Sequence, residues 1–338
     1  MSMPLSRREV LGAGAGMAAA LAVSSTTDTM AAVPVRRVRA PDQAPGLPPL
    51  RHPDSLPALM RRTFASTAPD RRKQLAATDR WRKYLVMYPS ADLHISGVLY
   101  VPRGTGPFPA VVLAHGYSVP AQYVSGLGME REQRYLADRG FVVLQTDYRG
   151  HGASSSTDEL QLELRLGFAE DTLNAAQALK QMPEVDPGKV ALFGLSLGGG
   201  VATNALVAGP GIVRAGVTWA AVSSSFVDNY RSLLARRLPG RVEAIRRRYG
   251  PPTEASTFYP DLSSRTFFDR ISEPVLLDHG TADPICPVGW SRATAAHMEQ
   301  AGVDVRLRLR RGEPHIYSRR WQAAMDDTYA FLRERLES

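Results

Sequence analysis

The stretch VALFGLSLGGG, residues 190–200, joins two different sequence patterns. Its first half is an apolar run that predicts a buried strand, and its second half, from Leu197, consists of small residues that predict the start of a helix. Ser196 lies at the junction, and residues 194–198 form the pattern G-x-S-x-G. A strand that turns directly into a helix through this pattern is typical of a nucleophile elbow, in which glycines on both sides of the serine leave room for a sharp turn. The stretch therefore predicts a reactive Ser196 at the N-terminus of a helix.

Ser196 needs partners before it can act as a nucleophile. Free N–H groups and the helix dipole at the N-terminus of a helix favour a developing negative charge. A serine hydroxyl is nevertheless a weak nucleophile, and it requires a base and an acid that orients the base. A glycine-rich helix with a capping serine would show the same short pattern, so the rest of the chain decides between the two interpretations.

Two polar loops later in the chain contain a candidate acid and a candidate base. The segment HGTADPICP, residues 279–287, follows a predicted strand and places Asp283 in a loop. The segment RRGEPHIYS, residues 310–318, follows the next predicted strand and places His315 in a loop before the last helix. The order Ser…Asp…His is the one found with a nucleophile elbow. Loops beyond the carboxyl ends of parallel strands are also where such sheets bind ligands.

Other side chains compete for these roles. Asp278 ends the strand before Asp283, but the pleat of the sheet orients a strand-end side chain, so we favour Asp283 as the acid and expect Asp278 to affect mainly stability. His115 and His151 are alternative bases, but both lie in glycine-flanked loops, and we expect them to be structural. His279 directly precedes the acid loop and is expected to organise it.

Strand and helix patterns alternate along the body of the chain. Such alternation places helices on both faces of a sheet, and it predicts an α/β fold with a mostly parallel sheet. The first two strands are joined by a short turn and should form an antiparallel hairpin at one edge. The last strand alternates apolar residues with arginine, which favours a position near the other edge. The eight predicted strands are residues 81–88, 94–101, 109–114, 141–146, 189–194, 214–221, 274–278 and 303–310.

Residues 223–270 interrupt the alternation and predict a small helical cap insert over the nucleophile. The insert contains several aromatic residues, among them Phe226, Tyr230, Phe258, Tyr259, Phe267 and Phe268, and a cationic run from Arg236 to Arg248. We expect the aromatic side chains to shape the substrate pocket. The arginines are expected to form a solvated helix face, as charge runs usually do; the alternative is that they favour anionic substrates.

Five motifs appear in a fixed order: VVLAHGY (111–117), DYRGHGAS (147–154), FGLSLGGG (193–200), HGTADPICP (279–287) and Pro314-His315. With these motifs, the chain from about residue 81 to residue 337 resembles an α/β-hydrolase. It is most similar to the branch that contains dienelactone hydrolases and prolyl oligopeptidase-like enzymes. This resemblance implies the α/β-hydrolase fold, with Ser196 as the nucleophile, Asp283 as the acid and His315 as the base.

The resemblance also implies an oxyanion hole. One donor should be the backbone N–H of Leu197, which follows the nucleophile, and the other should be that of Tyr117, in the loop after the strand at 109–114. Loss of one such donor typically costs a factor of about 10²–10³ in rate.

The first 80 residues are expected to lie outside the hydrolase domain, which we place at residues 81–338. A pair of arginines precedes a mildly apolar run, Val10–Val23, and is similar to a twin-arginine export signal, placed at residues 1–32. The alternatives are a plain disordered terminus and a membrane anchor, but the run is shorter than the roughly 20 residues that span a bilayer. Frequent prolines then predict a linker and lead-in at residues 33–80. The resemblance implies several hundred residues before the hydrolase body in propeller-bearing members, so we expect no propeller domain in the 80 residues here. We expect a periplasmic or extracellular protein with no stable membrane insertion.

Composition and charge exclude several other functions. The net charge is +8, but the arginines are scattered and no nucleic-acid motif is present, so no nucleic-acid partner is expected. The single cysteine, Cys286, excludes a disulfide within the chain and a multi-cysteine metal site, and we expect a buried structural thiol. No histidine pair has metal-ligand spacing, and GLSLGGG lacks the Gly-Lys-Ser/Thr ending of a phosphate loop. We therefore expect no metal and no cofactor.

Together these features predict a serine hydrolase that cleaves a small ester through an acyl-enzyme intermediate. A small peptidase or amidase that uses the same three residues on short peptides is the first alternative. The second alternative is a non-catalytic binding protein on the same fold, which would have no need for a complete set of nucleophile, base and acid.

Overall fold

The computed structural model describes residues 46–156, 158 and 164–337, so the predicted signal at residues 1–32 lies outside the described residues. Within that part of the chain, nine strands form one sheet in the order β1-β2-β3-β5-β4-β6-β7-β8-β9. The strands are β1 Asp70–Ala77, β2 Trp81–Ser90, β3 Leu93–Pro102, β4 Phe108–Ala114, β5 Val142–Thr146, β6 Val185–Leu195, β7 Ala215–Trp219, β8 Val275–Gly280 and β9 Val305–Arg310.

The sheet is antiparallel at one edge and parallel over the rest. β1, β2, β3 and β5 pair with one another in antiparallel fashion, whereas all pairs from β5 through β4 to β9 are parallel. The predicted hairpin and the edge position of the arginine-containing last strand are both confirmed. The mostly parallel sheet is that of the α/β-hydrolase fold, as the motifs predicted.

Helices cover both faces of the sheet. The α-helices are α1 Leu56–Leu59, α2 Glu130–Ala137, α3 Leu166–Lys180, α4 Leu197–Ala208, α5 Phe226–Asn229, α6 Ala235–Arg237, α7 Pro239–Tyr249, α8 Phe258–Asp261, α9 Val288–Gln300 and α10 Trp321–Glu337. Side chains of α1, α3, α4 and α9 join the apolar core on one face, and those of α2 and α10 join the core on the other. None of the helices in the described ranges is both long and apolar enough to cross a bilayer.

The central strand β4 shows why the buried strands could be predicted. Val112 and its neighbours at positions 110 and 114 face one core, while Val111 and Leu113 face the other. Side chains alternate between the two faces of a strand, and a strand covered on both faces is therefore apolar throughout.

The strand β1 is the ninth strand, one more than the eight that the sequence predicts. All eight of its residues, DRRKQLAA, are exposed, so the segment has no apolar alternation that could indicate a strand. It is held by backbone pairing with β2, with two irregularities in register. Charged side chains and bulges are common on edge strands because they block pairing with other chains.

The insert at residues 223–270 is helical, as predicted, and lies between β7 and β8. It contains α5 to α8, a π-helical turn at Tyr230–Leu234 and a 3₁₀ segment at Ser264–Arg270. Six of its seven aromatic side chains are buried and belong to the core that also includes α4; they are Phe226, Tyr230, Phe258, Tyr259, Phe267 and Phe268.

Candidate active site

Ser196 occupies a strained turn between β6 and α4. Its backbone has φ 58° and ψ −117°, a conformation that non-glycine residues rarely adopt. The turn leaves no space for side chains at the flanking glycines: a Cβ on Gly194 would lie 2.1 Å from the Gly198 carbonyl oxygen, and one on Gly198 would lie 1.9 Å from that of Ala114. The Ser196 N–H donates to the carbonyl of Trp219 at 2.8 Å. The local geometry is that of the predicted elbow.

The structure brings the three predicted catalytic side chains together. His315 Nε2 lies 2.9 Å from Ser196 Oγ, and His315 Nδ1 lies 2.7 Å from Asp283 Oδ2. A carboxylate can only accept, so Nδ1 carries the proton and Nε2 is left to accept from the serine hydroxyl. Asp283 lies in the loop after β8, and His315 in the loop after β9.

Asp283 is held from several sides. Its Oδ1 accepts from the backbone N–H groups of Ile285 at 2.8 Å and Cys286 at 2.9 Å. His279 Nε2 lies 3.1 Å from its Oδ2. Burial alone would raise the pKa of Asp283, but hydrogen bonds from His279, His315 and the two amides outweigh burial and hold the pKa well below its usual range. The acid is therefore ionised and fixed, and His279 organises it as predicted.

His279 is itself oriented by its neighbours. Its Nε2 faces two acceptors, Asp283 Oδ2 and the Cys286 carbonyl at 2.9 Å, so this nitrogen carries a proton. Its Nδ1 lies 2.6 Å from Ser291 Oγ in α9. The acid loop is thus tied to the helix that follows it, and the thiol of Cys286 is buried as predicted.

Asp278 is separate from this cluster. It accepts from Arg310 Nε at 2.8 Å and from the Tyr317 hydroxyl at 2.9 Å. Its side chain is fully buried, and it joins β8 to β9 and to the loop after His315. The carboxylate that faces His315 is that of Asp283, not that of Asp278.

The segment after β4 passes directly beside the nucleophile. A Cβ on Gly116 would lie 3.4 Å from Ser196 Cβ, so the next residue, Tyr117, is placed at the rim of the turn. Within the described residues, the N–H of Tyr117 has no hydrogen-bond partner. Leu197 is the first residue of α4, and the first amides of a helix have no carbonyl partner within it. The oxyanion hole formed by the amides of Leu197 and Tyr117 stays a prediction.

His115 holds this segment in place through a hydrogen bond and a ring contact. Its Nδ1 lies 2.7 Å from the Gly116 carbonyl, and its ring stacks on Tyr123 with centroids 4.4 Å apart. Burial, with a further contribution from nearby His151, lowers the pKa of His115 to about 3. His115 is therefore neutral and lies within the scaffold, in agreement with the structural role expected for it.

Asp147 is a residue of this region to which the sequence analysis assigned no role. It directly follows β5, and it accepts from Ser96 Oγ at 2.7 Å, the Tyr123 hydroxyl at 3.0 Å and the Gly126 N–H at 3.2 Å. Burial raises its pKa, although these hydrogen bonds act in the opposite direction. Asp147 ties the segment that carries Tyr123 to the sheet. A polar residue at the carboxyl end of a parallel strand was the available signal.

Two cavities near Ser196 share a wall formed by residues 115–118. The first has a volume of about 240 Å³ and is also lined by Ser196, His315 and Arg237. The second has a volume of about 470 Å³ and is also lined by Leu197, Phe168, Leu238 and Arg241.

The insert contributes to these cavities through arginines, and the expectation that its aromatic side chains line the substrate pocket is wrong for these two cavities. Its aromatic side chains line neither cavity, because they pack into or against the core that includes α4. Two side chains of the arginine run line the cavities instead, Arg237 the first and Arg241 the second. Among the described residues, no group of three or more His, Cys, Asp or Glu side chains is arranged to hold a metal ion.

Residues 128–338 match the model of the prolyl oligopeptidase family, which is more than half of the chain. The chain belongs to this family. The uncharacterised peptidase YtmA of Bacillus subtilis (strain 168) is 27% identical over 219 residues, which are 63% of this chain and 78% of YtmA. The family assignment agrees with the resemblance drawn from the motifs.

Two solved structures illustrate the fold. The acylaminoacyl peptidase of Pyrococcus horikoshii superposes with a TM-score of 0.62 and 20% identity, over 76% of this chain and 42% of the peptidase. Acetyl xylan esterase 1 of Thermoanaerobacterium sp. superposes with a TM-score of 0.60 and 21% identity, over 82% of this chain and 97% of the esterase. This chain therefore spans less than half of the peptidase structure and nearly the whole of the esterase structure.

Proposed function

We propose that this member of the prolyl oligopeptidase family is a serine hydrolase that cleaves small carboxylic esters. The observation that carries the proposal is the continuous hydrogen-bonded chain from Ser196 through His315 to Asp283. The strained turn at Ser196 supports it, since strain of this kind is concentrated at functional sites. A protein that only bound ligands would have no need for this arrangement.

The proposed reaction begins when Ser196 Oγ attacks the carbonyl carbon of the substrate and His315 Nε2 takes the hydroxyl proton. Asp283 remains ionised and stabilises the imidazolium that forms. The backbone N–H groups of Leu197 and Tyr117 stabilise the negative oxygen of the tetrahedral intermediate. His315 then gives its proton to the leaving group, and the C–O bond breaks to leave an acyl-enzyme. Water, activated by the same imidazole, hydrolyses the acyl-enzyme and regenerates Ser196.

The solved structures that share this fold include both an esterase and a peptidase. This chain superposes on nearly the whole of an acetyl xylan esterase, but on less than half of an acylaminoacyl peptidase. The alternative is a small peptidase or amidase, and the similarity to the peptidase YtmA supports it. Both reactions use the same acyl-enzyme route, so the leaving group is what distinguishes them.

A fluorophosphonate probe tests the nucleophile. We expect the probe to label the folded protein at Ser196, because among the serines that the structure describes only this one combines the elbow geometry with a hydrogen bond to His315. Ser196→Ala should lose all labelling. Ser118→Ala is the matched control, since Ser118 lines the same cavities, and it should be labelled like the unmodified protein. Labelling of another serine with Ser196 untouched would overturn the proposal.

A substrate panel separates the ester and amide alternatives. The panel contains p-nitrophenyl esters of graded acyl length and aminoacyl anilides, each measured with the unmodified protein and with Ser196→Ala. We expect turnover of the esters that depends on Ser196. Anilide turnover that depends on Ser196 and exceeds ester turnover would establish the peptidase alternative instead.

A further inference from the structure

The two cavities near Ser196 differ in whether His315 lines them, and this difference bears on where each half of a substrate would bind. His315 must give its proton to the leaving group, so the leaving group has to lie within reach of His315 Nε2. The cavity of about 240 Å³ is lined by His315, whereas the cavity of about 470 Å³ is lined by Leu197 and not by His315. The smaller cavity therefore takes the leaving group, and the larger one takes the acyl group. This assignment rests on the hydrolase function proposed above.

The leaving-group cavity has a distinctive charge. Among the described residues that line this cavity, Arg237 is the only arginine or lysine, and none is an aspartate or glutamate. Arg237 is exposed and has no ion-pair partner among the described residues. A leaving group with an amino group would find no carboxylate in this cavity, whereas one with a carboxylate would find a guanidinium, which can bind it in bidentate geometry.

Much of the remaining lining of this cavity is apolar. Its lining includes Leu127 and Ile316, which are 42% and 55% exposed, and Tyr117, which is 45% exposed. Large apolar side chains left in solvent at the mouth of a pocket favour a ligand that covers them. The matching leaving group therefore has an apolar body in addition to its carboxylate.

The charge of Arg237 also reaches the interior of the site. Burial raises the pKa of the Cys286 thiol to about 12, and Arg237 is among the positive groups that act against this rise. Cys286 lies in the loop that holds Asp283. The guanidinium is thus close enough to act on groups around the nucleophile, although its side chain is exposed.

We propose that Arg237 is a specificity residue that binds the carboxylate of an apolar leaving group. The preferred substrates are then esters of hydroxy acids or amides of amino acids whose carboxylate is free. Both classes have an apolar leaving group with one negative charge. They differ in the leaving atom, which is oxygen in an ester and nitrogen in an amide.

The ester test compares 4-acetoxybenzoate with methyl 4-acetoxybenzoate, which share an acyl group and differ in the charge of the leaving group. We expect Arg237→Gln to lower kcat/KM about tenfold for the anionic ester, the effect of losing a hydrogen bond to a charged group, and less than twofold for the methyl ester. Comparing enzyme variants on each ester cancels the intrinsic difference in leaving-group reactivity. Arg236→Gln is the matched control, because Arg236 is the adjacent exposed arginine and lines neither cavity.

Two further measurements complete the test. Hydrolysis of p-nitrophenyl hemisuccinate, in which the charge is on the acyl group, should not respond to Arg237→Gln. The amide test compares N-acetyl-phenylalanine with N-acetyl-phenylalaninamide. Arg237-dependent cleavage of the acid identifies amides as the preferred substrates. An equal loss on charged and neutral leaving groups, or an equal loss in Arg236→Gln, would overturn the inference. If Ser196→Ala leaves all turnover intact, the proposed function itself fails.

Discussion

Two carboxylates five positions apart have different surroundings, and these surroundings define what each can do. Asp283 lies in a loop and faces His315 at 2.7 Å, whereas Asp278 lies in β8 and faces Arg310 and Tyr317. The loop gives Asp283 the freedom to turn toward the histidine, while the pleat of the sheet directs Asp278 toward β9. The distinction argued from the sequence agrees with this geometry.

The first prediction concerns Asp283→Asn and Asp278→Asn. Asp283→Asn should lower kcat on a p-nitrophenyl ester by a factor of about 10⁴, because the amide no longer fixes the tautomer of His315. Asp278→Asn should retain kcat within a small factor but lower the free energy of unfolding, because it leaves the Arg310 guanidinium, whose side chain is 12% exposed, without its main partner. The measurements are steady-state kinetics and urea unfolding. A folded, fully active Asp283→Asn together with a folded, inactive Asp278→Asn would show that the acid is Asp278.

The second prediction concerns the pH dependence of stability. The pKa of Asp283 is lower in the folded protein than in the unfolded chain. In an unfolded chain the pKa of an aspartate is about 3.9. Asp283 therefore stabilises the fold above that pH, and the stabilisation is lost as the pH falls toward the lower folded pKa. Urea unfolding should show that the stability difference between the unmodified protein and Asp283→Asn is largest near neutral pH and shrinks below about pH 4. A difference that grows on acidification would contradict the direction of this shift.

At the scale of elements, the turn from β6 to α4 depends on glycine at two positions. A side chain at either position would collide with backbone atoms, which cannot move aside as a side chain can. The same two glycines were the sequence signal for the elbow. The sequence pattern and the close packing of β4, β6 and α4 thus have the same cause, which is that positions 194 and 198 have no room for a side chain.

The third prediction tests this requirement with Gly198→Ala. The added methyl group would lie 1.9 Å from the Ala114 carbonyl oxygen, so we expect a loss of about 3 kcal/mol in the free energy of unfolding, together with loss of probe labelling at Ser196. Gly289→Ala is the matched control, since Gly289 lies in α9 with open space around it. It should be neutral or stabilising by up to about 1 kcal/mol, because alanine favours helix. Equal stability of the two variants, measured by urea unfolding, would refute the steric explanation.

At the scale of the whole molecule, the described residues form a hydrolase body to which the lead-in contributes. The side chains of Leu56 and Leu59 in α1 join the core, and β1 extends the sheet at its edge. Part of the segment predicted as linker and lead-in therefore packs on the body. The domain boundary at residue 81 and the export signal at residues 1–32 remain predictions.

The fourth prediction concerns export. The paired arginines and the mildly apolar run before residue 24 motivate cleavage by the export machinery, so the mature protein should start between about residue 23 and the proline-rich segment. N-terminal sequencing of the protein purified from a bacterial culture measures this directly. Replacement of the two arginines by lysine is the control and should leave the full-length chain in the cytoplasm. A cytoplasmic product of the unaltered chain that starts at Met1 or Ser2 would disprove the signal.

Local features of the sequence determined the elbow, the order of the three candidate catalytic residues and eight of the strands. The elbow is local because strand, turn and helix lie within residues 190–200, and buried strands are apolar whatever they pack against. The acid and base could be predicted because loops at the carboxyl ends of neighbouring parallel strands must meet at one edge of the sheet.

Other features depended on contacts between segments far apart in the chain, and only the tertiary structure decided them. β1 is held by backbone hydrogen bonds to β2, and such bonds carry no hydropathy signal. The sequence shows only that Asp147 is polar. Its structural role arises because Ser96, Tyr123 and Gly126 all donate hydrogen bonds to it. A run of arginines likewise predicts a solvated face, and only the packing of the insert's aromatic side chains against the core brings Arg237 to the cavity beside Ser196.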